Sequence, residues 1–220
     1  IMVMNPSEEG FETLLRHRLE PEIYSLRLLQ SLIQFLGGST CRIHLKLDTG
    51  MHRLGFTEET LDEALMLLKQ HNHLEVASVF THLAGSDESR HDEFSRQQVA
   101  RFSKMAIQIE TTLGYRPLRH VLNSPGIMRF PDYQFDMVRL GIGLYGVNPT
   151  DNQAPMRPVA TLKTVISQIK TIAPGETIGY GRWGQAEKEM TLATIAIGYA
   201  DGFSRAFSRG VGCVLVHGQK

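Results

Sequence analysis

Along residues 1–150 the period of the apolar positions switches repeatedly. Short β-branched or alternating runs near 1–4, 22–25, 42–47, 74–80, 119–122 and 137–140 predict six strands. Helical patterns fill most of the gaps. Thr57 is a good N-cap, Glu58 and Glu59 follow it in the first turn, and Leu61, Leu65 and Leu68 then share one stripe. Val99, Phe102, Ala106, Ile109 and Leu113 make a second stripe, which Gly114 is placed to close as a C-cap. Strand–helix alternation predicts a parallel sheet with helices outside it. Six such units fit a TIM-like eight-stranded α/β barrel whose first two units would precede residue 1. A doubly wound open sheet fits the alternation too, but no Gly-x-Gly-x-x-Gly follows the first run.

Around residue 150 the texture changes. Residues 148–155, rich in Asn and Pro, read as a linker. Beyond them helical periodicity stops. Residues 160–172, 190–197 and 211–216 predict strands, the first of them ending at a Pro174-Gly175 turn. The expected division is therefore a partial α/β barrel at 1–150 and a partial β domain at 151–220. The chain opens on the apolar run Ile1-Met2-Val3-Met4 and closes on a strand entering a turn, so a fragment cut at both ends is expected.

Composition narrows the class only a little. A hydrophobic content of 42% with 21% charged residues is ordinary for a globular enzyme. Lys plus Arg equals Asp plus Glu at 23 each, so the balance points to neither nucleic acid nor a membrane surface. No apolar run approaches the roughly 20 residues of a membrane helix. Cys41 and Cys213 make no metal spacing and read as buried thiols in a reducing compartment. No His-x-x-His or carboxylate cluster is present, and neither a signal peptide nor a metal is expected.

Candidate chemistry gathers where strands end. In a parallel barrel the loops after the strands build the site at one face. Lys46, Asp48 and Arg53 follow the third run, Thr81 and His82 the fourth, Asn123 and Ser124 the fifth, and 139–143 the sixth. Any one of these alone reads as a surface group; four clusters at four consecutive strand ends read as one rim. Residues 139–143, Arg-Leu-Gly-Ile-Gly, suit an anion cradle, or else a turn needed only for backbone geometry. Tyr199 in Gly-Tyr-Ala-Asp-Gly is either an exposed phenol available as a base or a ring packed over a turn. Gly179-Tyr180-Gly181-Arg182 reads as a further turn. His44 alternates with Leu45 and Leu47 and reads as lining its strand.

Five motifs then occur in a telling order. They are Lys-Leu-Asp-Thr-Gly-Met-His-Arg-Leu-Gly-Phe at 46–56, Thr-His-Leu-Ala at 81–84, Asn-Ser at 123–124, Val-Arg-Leu-Gly-Ile-Gly-Leu-Tyr-Gly at 138–146 and Ile-Gly-Tyr-Ala-Asp-Gly at 197–202. The chain resembles the alanine racemase family from end to end. Pro125 and Leu140 stand where that family often has Ala and Pro.

The resemblance implies a pyridoxal 5'-phosphate (PLP)-dependent isomerase that interconverts L- and D-alanine for peptidoglycan synthesis. It implies a cytoplasmic homodimer with an amino acid as its substrate, no nucleic acid and no membrane. Tyr199 would be a catalytic base supplied to the partner's site, and His82 would lie beside the cofactor and help tune that tyrosine. Arg139 would face the pyridine nitrogen, and Ser124, Gly141 and Ile142 would hold the phosphate. Arg53 would support the cofactor and bind the substrate carboxylate. Lys46 is the position at which many members carry a carbamate. The family's cofactor lysine, in a Lys-Ala-Asn-Ala-Tyr-Gly-like motif, has no counterpart in these residues, so the fragment is expected to be inactive alone. Alternatives are a broad-specificity or serine racemase, a barrel-only PLP homeostasis protein, and a decarboxylase on the same barrel; Tyr199 and the β domain speak against the homeostasis protein, and Tyr199 against the decarboxylase.

Overall fold

The alternation of strand and helix is present in the computed structural model, which describes residues 1–150 and 156–220. β1 (Met2–Val3) leads through α1 (Phe11–Arg16) to β2 (Glu20–Ile23). There follow α2 (Leu26–Leu36), β3 (Cys41–Lys46), α3 (Glu58–Gln70), β4 (Leu74–Phe80), α4 (Asp92–Leu113), β5 (Leu118–His120) and α5 (Ser124–Arg129). The strands form one open sheet in the order β1-β2-β3-β4-β5, every pair parallel. This is the predicted α/β arrangement, with the barrel not closed.

Both predicted helical stripes are buried. Leu61, Leu65 and Leu68 of α3 and Val99, Phe102, Ala106 and Ile109 of α4 join one core with Cys41, Ile43, Leu45 and Leu47 from the helix-facing side of β3. The Thr60 hydroxyl accepts from the Thr57 N–H at 3.0 Å and so satisfies a free donor ahead of α3. The other face of β3 carries Arg42, His44 and Lys46, and the last two are buried as well. Polar residues buried on the inner side of a sheet need partners, and these partners build the site.

Three details differ from the sequence reading. β1 is short and only half-buried, with Ile1 fully outside it. β2 starts at Glu20 rather than 22 and stops at Ile23, because the Ser25 side chain accepts from the Leu28 N–H as the N-cap of α2. The sixth predicted strand, near 137–140, is not formed. That segment runs beside β5 and its extension through two backbone hydrogen bonds, Asp136 N–H to Arg119 O at 3.1 Å and Arg139 N–H to Leu122 O at 3.0 Å. They lie three residues apart on both chains, whereas a ladder repeats every two residues.

The loop after β3 closes on itself. Asp48 N–H donates to Phe56 O and Phe56 N–H to Lys46 O, so the chain returns to its own starting point. One oxygen of Asp48 accepts from the N–H groups of Gly50 and His52. Gly55 has φ +135°, and a Cβ there would sit 2.5 Å from Asp48 N, so only glycine lets the two arms approach this closely.

The chain divides into two compact units, Ile1–Val159 and Ala160–Lys220. The boundary falls beyond the predicted linker, whose residues 151–155 lie outside the described ones. In the second unit β6 (Ile166–Ile172) pairs antiparallel with β9 (Met190–Ile195), and β7 (Thr177–Ile178) with β8 (Gly184–Gln185). The Pro174-Gly175 turn is present, closed by Glu176 N–H to Ala173 O. Residues 211–216 do not form the predicted strand. Gly212 folds back to donate to Phe207 O, and pairing is limited to Val216 with Gln219 around His217 and Gly218, both at positive φ.

Candidate functional site

Parallel register brings the ends of β2 to β5 together. Glu22 is the Cα partner of His44, Lys46 of Phe80, and Phe80 of His120. Lys46 points inward, its Nζ 3.1 Å from Glu22 Oε1, and both side chains are buried. The Asn5 N–H donates to the other Glu22 oxygen at 2.6 Å. Lys46 also lies over the Phe80 ring at 5.4 Å.

Arg139 is held from several sides. Its Nη1 donates to His120 Nδ1 at 2.6 Å and to His120 O at 3.1 Å; its Nη2 donates to Thr81 O at 2.6 Å and to Val121 O at 3.1 Å. The terminal hydrogens are thus taken up, and Nε–H has no protein acceptor among the described residues. Burial pushes the guanidinium down to about 10, against the opposing pull of Glu22, so it stays cationic at neutral pH.

His82 stands beside this cation. Burial first, then Arg139, Arg53 and Lys46, lower its imidazole to about 4, so it is neutral at pH 7. Arg139 Nη2 and the Asn123 amide each approach it at 3.4 Å. Both neighbours are donors and a neutral imidazole has one acceptor, so at most one of these contacts is a hydrogen bond. Asn123 is fixed in that orientation because its oxygen accepts from Ser86 Oγ at 2.7 Å and the Gly126 N–H at 3.0 Å.

The glycine-rich segment meets Ser124. The Gly141 and Gly143 N–H groups donate to Ser124 Oγ at 2.9 and 3.0 Å. The Ile142 N–H between them has no acceptor among the described residues. A Cβ on Gly143 would lie 3.2 Å from Ser124 Oγ and 2.8 Å from Leu140 Cδ1, whereas one on Gly141 would stay 3.7 Å from the hydroxyl. The space at Gly143 is therefore used by the fold. Sequence reading placed Gly141, Ile142 and Gly143 in one anion cradle but gave a phosphate contact only to the first two.

Arg53 is exposed on the self-closed loop, with no hydrogen bond or ion pair among the described residues. The first unit thus places Lys46, Arg53, His82 and Ser124 on segments at or after the ends of β3, β4 and β5, and Arg139, Gly141 and Ile142 on the irregular segment beside β5. Tyr199 belongs to the second unit, where it opens a short 3-10 turn, Tyr199–Asp201, with its phenol exposed. Asp201 accepts from the Gly198 N–H at 2.9 Å and braces that turn. Sequence reading also missed Glu20, Glu22, Ser78 and His120; the signal available was a polar residue at every second position of β3.

Profiles described as "Alanine racemase, N-terminal domain" and "Alanine racemase, C-terminal domain" match residues 1–149 and 159–220. The chain belongs to the alanine racemase family. An alanine racemase of Sorangium cellulosum is 35% identical over 98% of this chain and 57% of that protein. One from Desulfovibrio desulfuricans is 37% identical over 83% of this chain and 50% of that protein. Among solved structures, the alanine racemase of a D-cycloserine-producing Streptomyces lavendulae superposes with a TM-score of 0.85 at 31% identity, covering all of this chain and 60% of that one. The alanine racemase of Bartonella henselae, solved with covalently bound pyridoxal phosphate, superposes at 0.79 with 26% identity, covering 94% of this chain and 57% of that one. The chain spans about half to three fifths of the length of these family members. No described helix is long and apolar enough to cross a membrane.

Proposed function

We propose that the protein containing this chain is an alanine racemase that uses PLP to interconvert L- and D-alanine, supplying D-alanine for peptidoglycan. The observation that carries the reading is the Ser124 cradle beside a half-buried Arg139 with both terminal nitrogens engaged. The site suits PLP on two counts: the Ile142 N–H and the Arg139 Nε–H have no acceptor among the described residues and are available to a phosphate and a ring nitrogen. Ser124, Gly141, Ile142 and Gly143 would hold the phosphate, and Arg139 Nε–H would meet the ring nitrogen.

When bound, the cofactor supplies an electron sink for the carbanion left by α-proton removal. The chain's own residues do the rest. Arg139 is donor-only and keeps its proton. His82, neutral within a cationic surround, adds no competing charge. Arg53 binds the substrate carboxylate. Tyr199 takes or returns the α-proton on one face, and we place it in the site of the partner subunit of a homodimer. Inversion needs a second base on the opposite face; the cofactor lysine, absent from these 220 residues, takes that role. Cys41 is buried as expected, whereas Cys213 is exposed rather than buried; both thiols are unpaired, which suits a cytoplasmic location.

Coupled detection of D-alanine made from L-alanine by the full-length protein, with and without PLP, tests the reading. PLP-dependent turnover is expected. Turnover on serine with none on alanine overturns the substrate, and no turnover on any amino acid overturns the activity.

A further inference from the structure

Behind Arg139 a chain of buried polar groups crosses the sheet to its far end. Arg139 Nη1 meets His120 Nδ1 at 2.6 Å; His120 Nε2 meets Ser78 Oγ at 2.9 Å; Ser78 Oγ meets His44 Nδ1 at 2.6 Å; and His44 Nε2 meets Glu20 Oε2 at 2.8 Å. Ser78 and His120 are fully buried, and His44 nearly so. A register shift between Ile43 and His44 passes over Ala77 and sets Ser78 opposite His44, which joins the two imidazoles through one hydroxyl.

The ends of the chain fix its direction. Arg139 can only donate and an ionised Glu20 can only accept. Each neutral imidazole offers one donor and one acceptor, and so does the hydroxyl in a chain of this kind. One proton arrangement satisfies every link: His120 and His44 both carry hydrogen on Nε2, and the Ser78 hydroxyl donates to His44. Burial and Arg139 push His120 down to about 3, and burial lowers His44, so neither becomes a second cation that would break the order. Glu20 is held in place by Arg42, whose Nη1 donates to its other oxygen at 2.9 Å and whose Nε pairs with Glu75 at 3.2 Å.

We infer that Glu20 is a positioning residue for Arg139, acting through His44, Ser78 and His120 as the acceptor end of a one-way hydrogen-bonded chain. The anion polarises each link, so His120 Nδ1 becomes a stronger acceptor and Arg139 is held in one orientation. The kinetic part of the inference rests on the proposed contact of Arg139 with the cofactor ring; the proton arrangement does not.

The test uses full-length protein labelled with 15N-histidine, and a cycle of Glu20→Gln, Ser78→Ala and the double variant. Wild type should show both imidazoles as Nε2–H tautomers. Glu20→Gln keeps the shape and removes the charge, and should shift the His120 Nδ1 resonance although the two residues do not touch. Each single variant should lower kcat about three- to tenfold with KM for alanine within twofold. The double variant should be no worse than Ser78→Ala, because the broken chain no longer transmits Glu20. An unchanged His120 resonance in Glu20→Gln, or additive losses in the double variant, overturns the inference. Absence of racemase turnover in wild type overturns the proposed function instead, and the resonances still decide the chain.

Discussion

Lys46 Nζ lies 3.1 Å from Glu22 Oε1, and both side chains are buried, Glu22 almost completely. A carbamate at Lys46, which family resemblance implies, would replace the ammonium by an anion beside this carboxylate and strip Glu22 of its counter-ion. Burying two like charges together is far costlier than burying a matched pair. Lys46 is therefore expected to remain an ammonium. Full-length protein equilibrated with 13C-bicarbonate should give no lysine carbamate resonance, and such a resonance in wild type would refute this. Glu22→Gln should lose about 3–5 kcal/mol of stability to urea, because the buried ammonium is left unpaired.

Tyr199 is expected to serve one direction of proton removal. Tyr199→Phe in the full-length enzyme removes the proton-accepting group and keeps the ring. Turnover should fall by about 100-fold or more. Solvent deuterium should wash into one enantiomer far more slowly than into the other, with the cofactor absorbance retained. Loss of cofactor binding in this variant would show that Tyr199 is structural.

Gly143 and Gly141 separate a packed cradle from a loose one. Gly143→Ala pushes a methyl against Ser124 and Leu140. The dissociation constant for PLP should rise about ten- to a hundredfold, equivalent to about 1.4–2.7 kcal/mol. Gly141→Ala meets only an ordinary contact and keeps its N–H, so its affinity should stay within about threefold of wild type by the same conversion. Absorbance titration of both variants, freed of cofactor, reads the difference. Equal losses would show that the cradle is not where the phosphate binds.

His82 and His120 bind protons less readily folded than unfolded, at about 4 and about 3 against an ordinary 6.5. The unfolded chain therefore holds more protons below pH 6.5. Stability is complete above that value and falls as pH drops towards 4 and then 3. For fully buried His120 the loss at pH 4.5 is about 3 kcal/mol. Urea midpoints of the full-length protein at pH 7 and 4.5 should show the decline, and His120→Gln should make it shallower. The same decline in both proteins would mean that other groups carry it.

Much of the rim was legible because its residues are close in sequence. Lys46, Asp48 and Arg53 share one loop, and Arg139 to Gly143 one turn, so type and spacing revealed them. Asp48 then proved to brace its own loop through the N–H groups of Gly50 and His52. His44 does line its strand, but its meaning depends on Ser78 and His120, 34 and 76 positions further along. Only the register shift past Ala77 aligns them, and no local pattern announces a shift. The segment at 137–140 failed as a strand because Gly141 and Gly143 turn the chain towards Ser124 before a ladder can form. In the second unit, 211–216 has strand-like residues but pairs with no strand among the described residues.

The loop that leaves Lys46 and returns at Phe56 has a consequence for how this protein tolerates change. Its ends are stitched to each other, Asp48 braces it from within, Gly55 lets its arms close, and Thr49 ties it to Thr81, Gln98 and Arg101. Met51, His52 and Leu54 hang from a closed hoop rather than from the sheet. Variation at those positions can retune what surrounds Arg53 without touching the core beneath, while a change at Asp48 or Gly55 opens the hoop. Libraries aimed at altering substrate choice have a natural window here, bounded by two positions to be left alone.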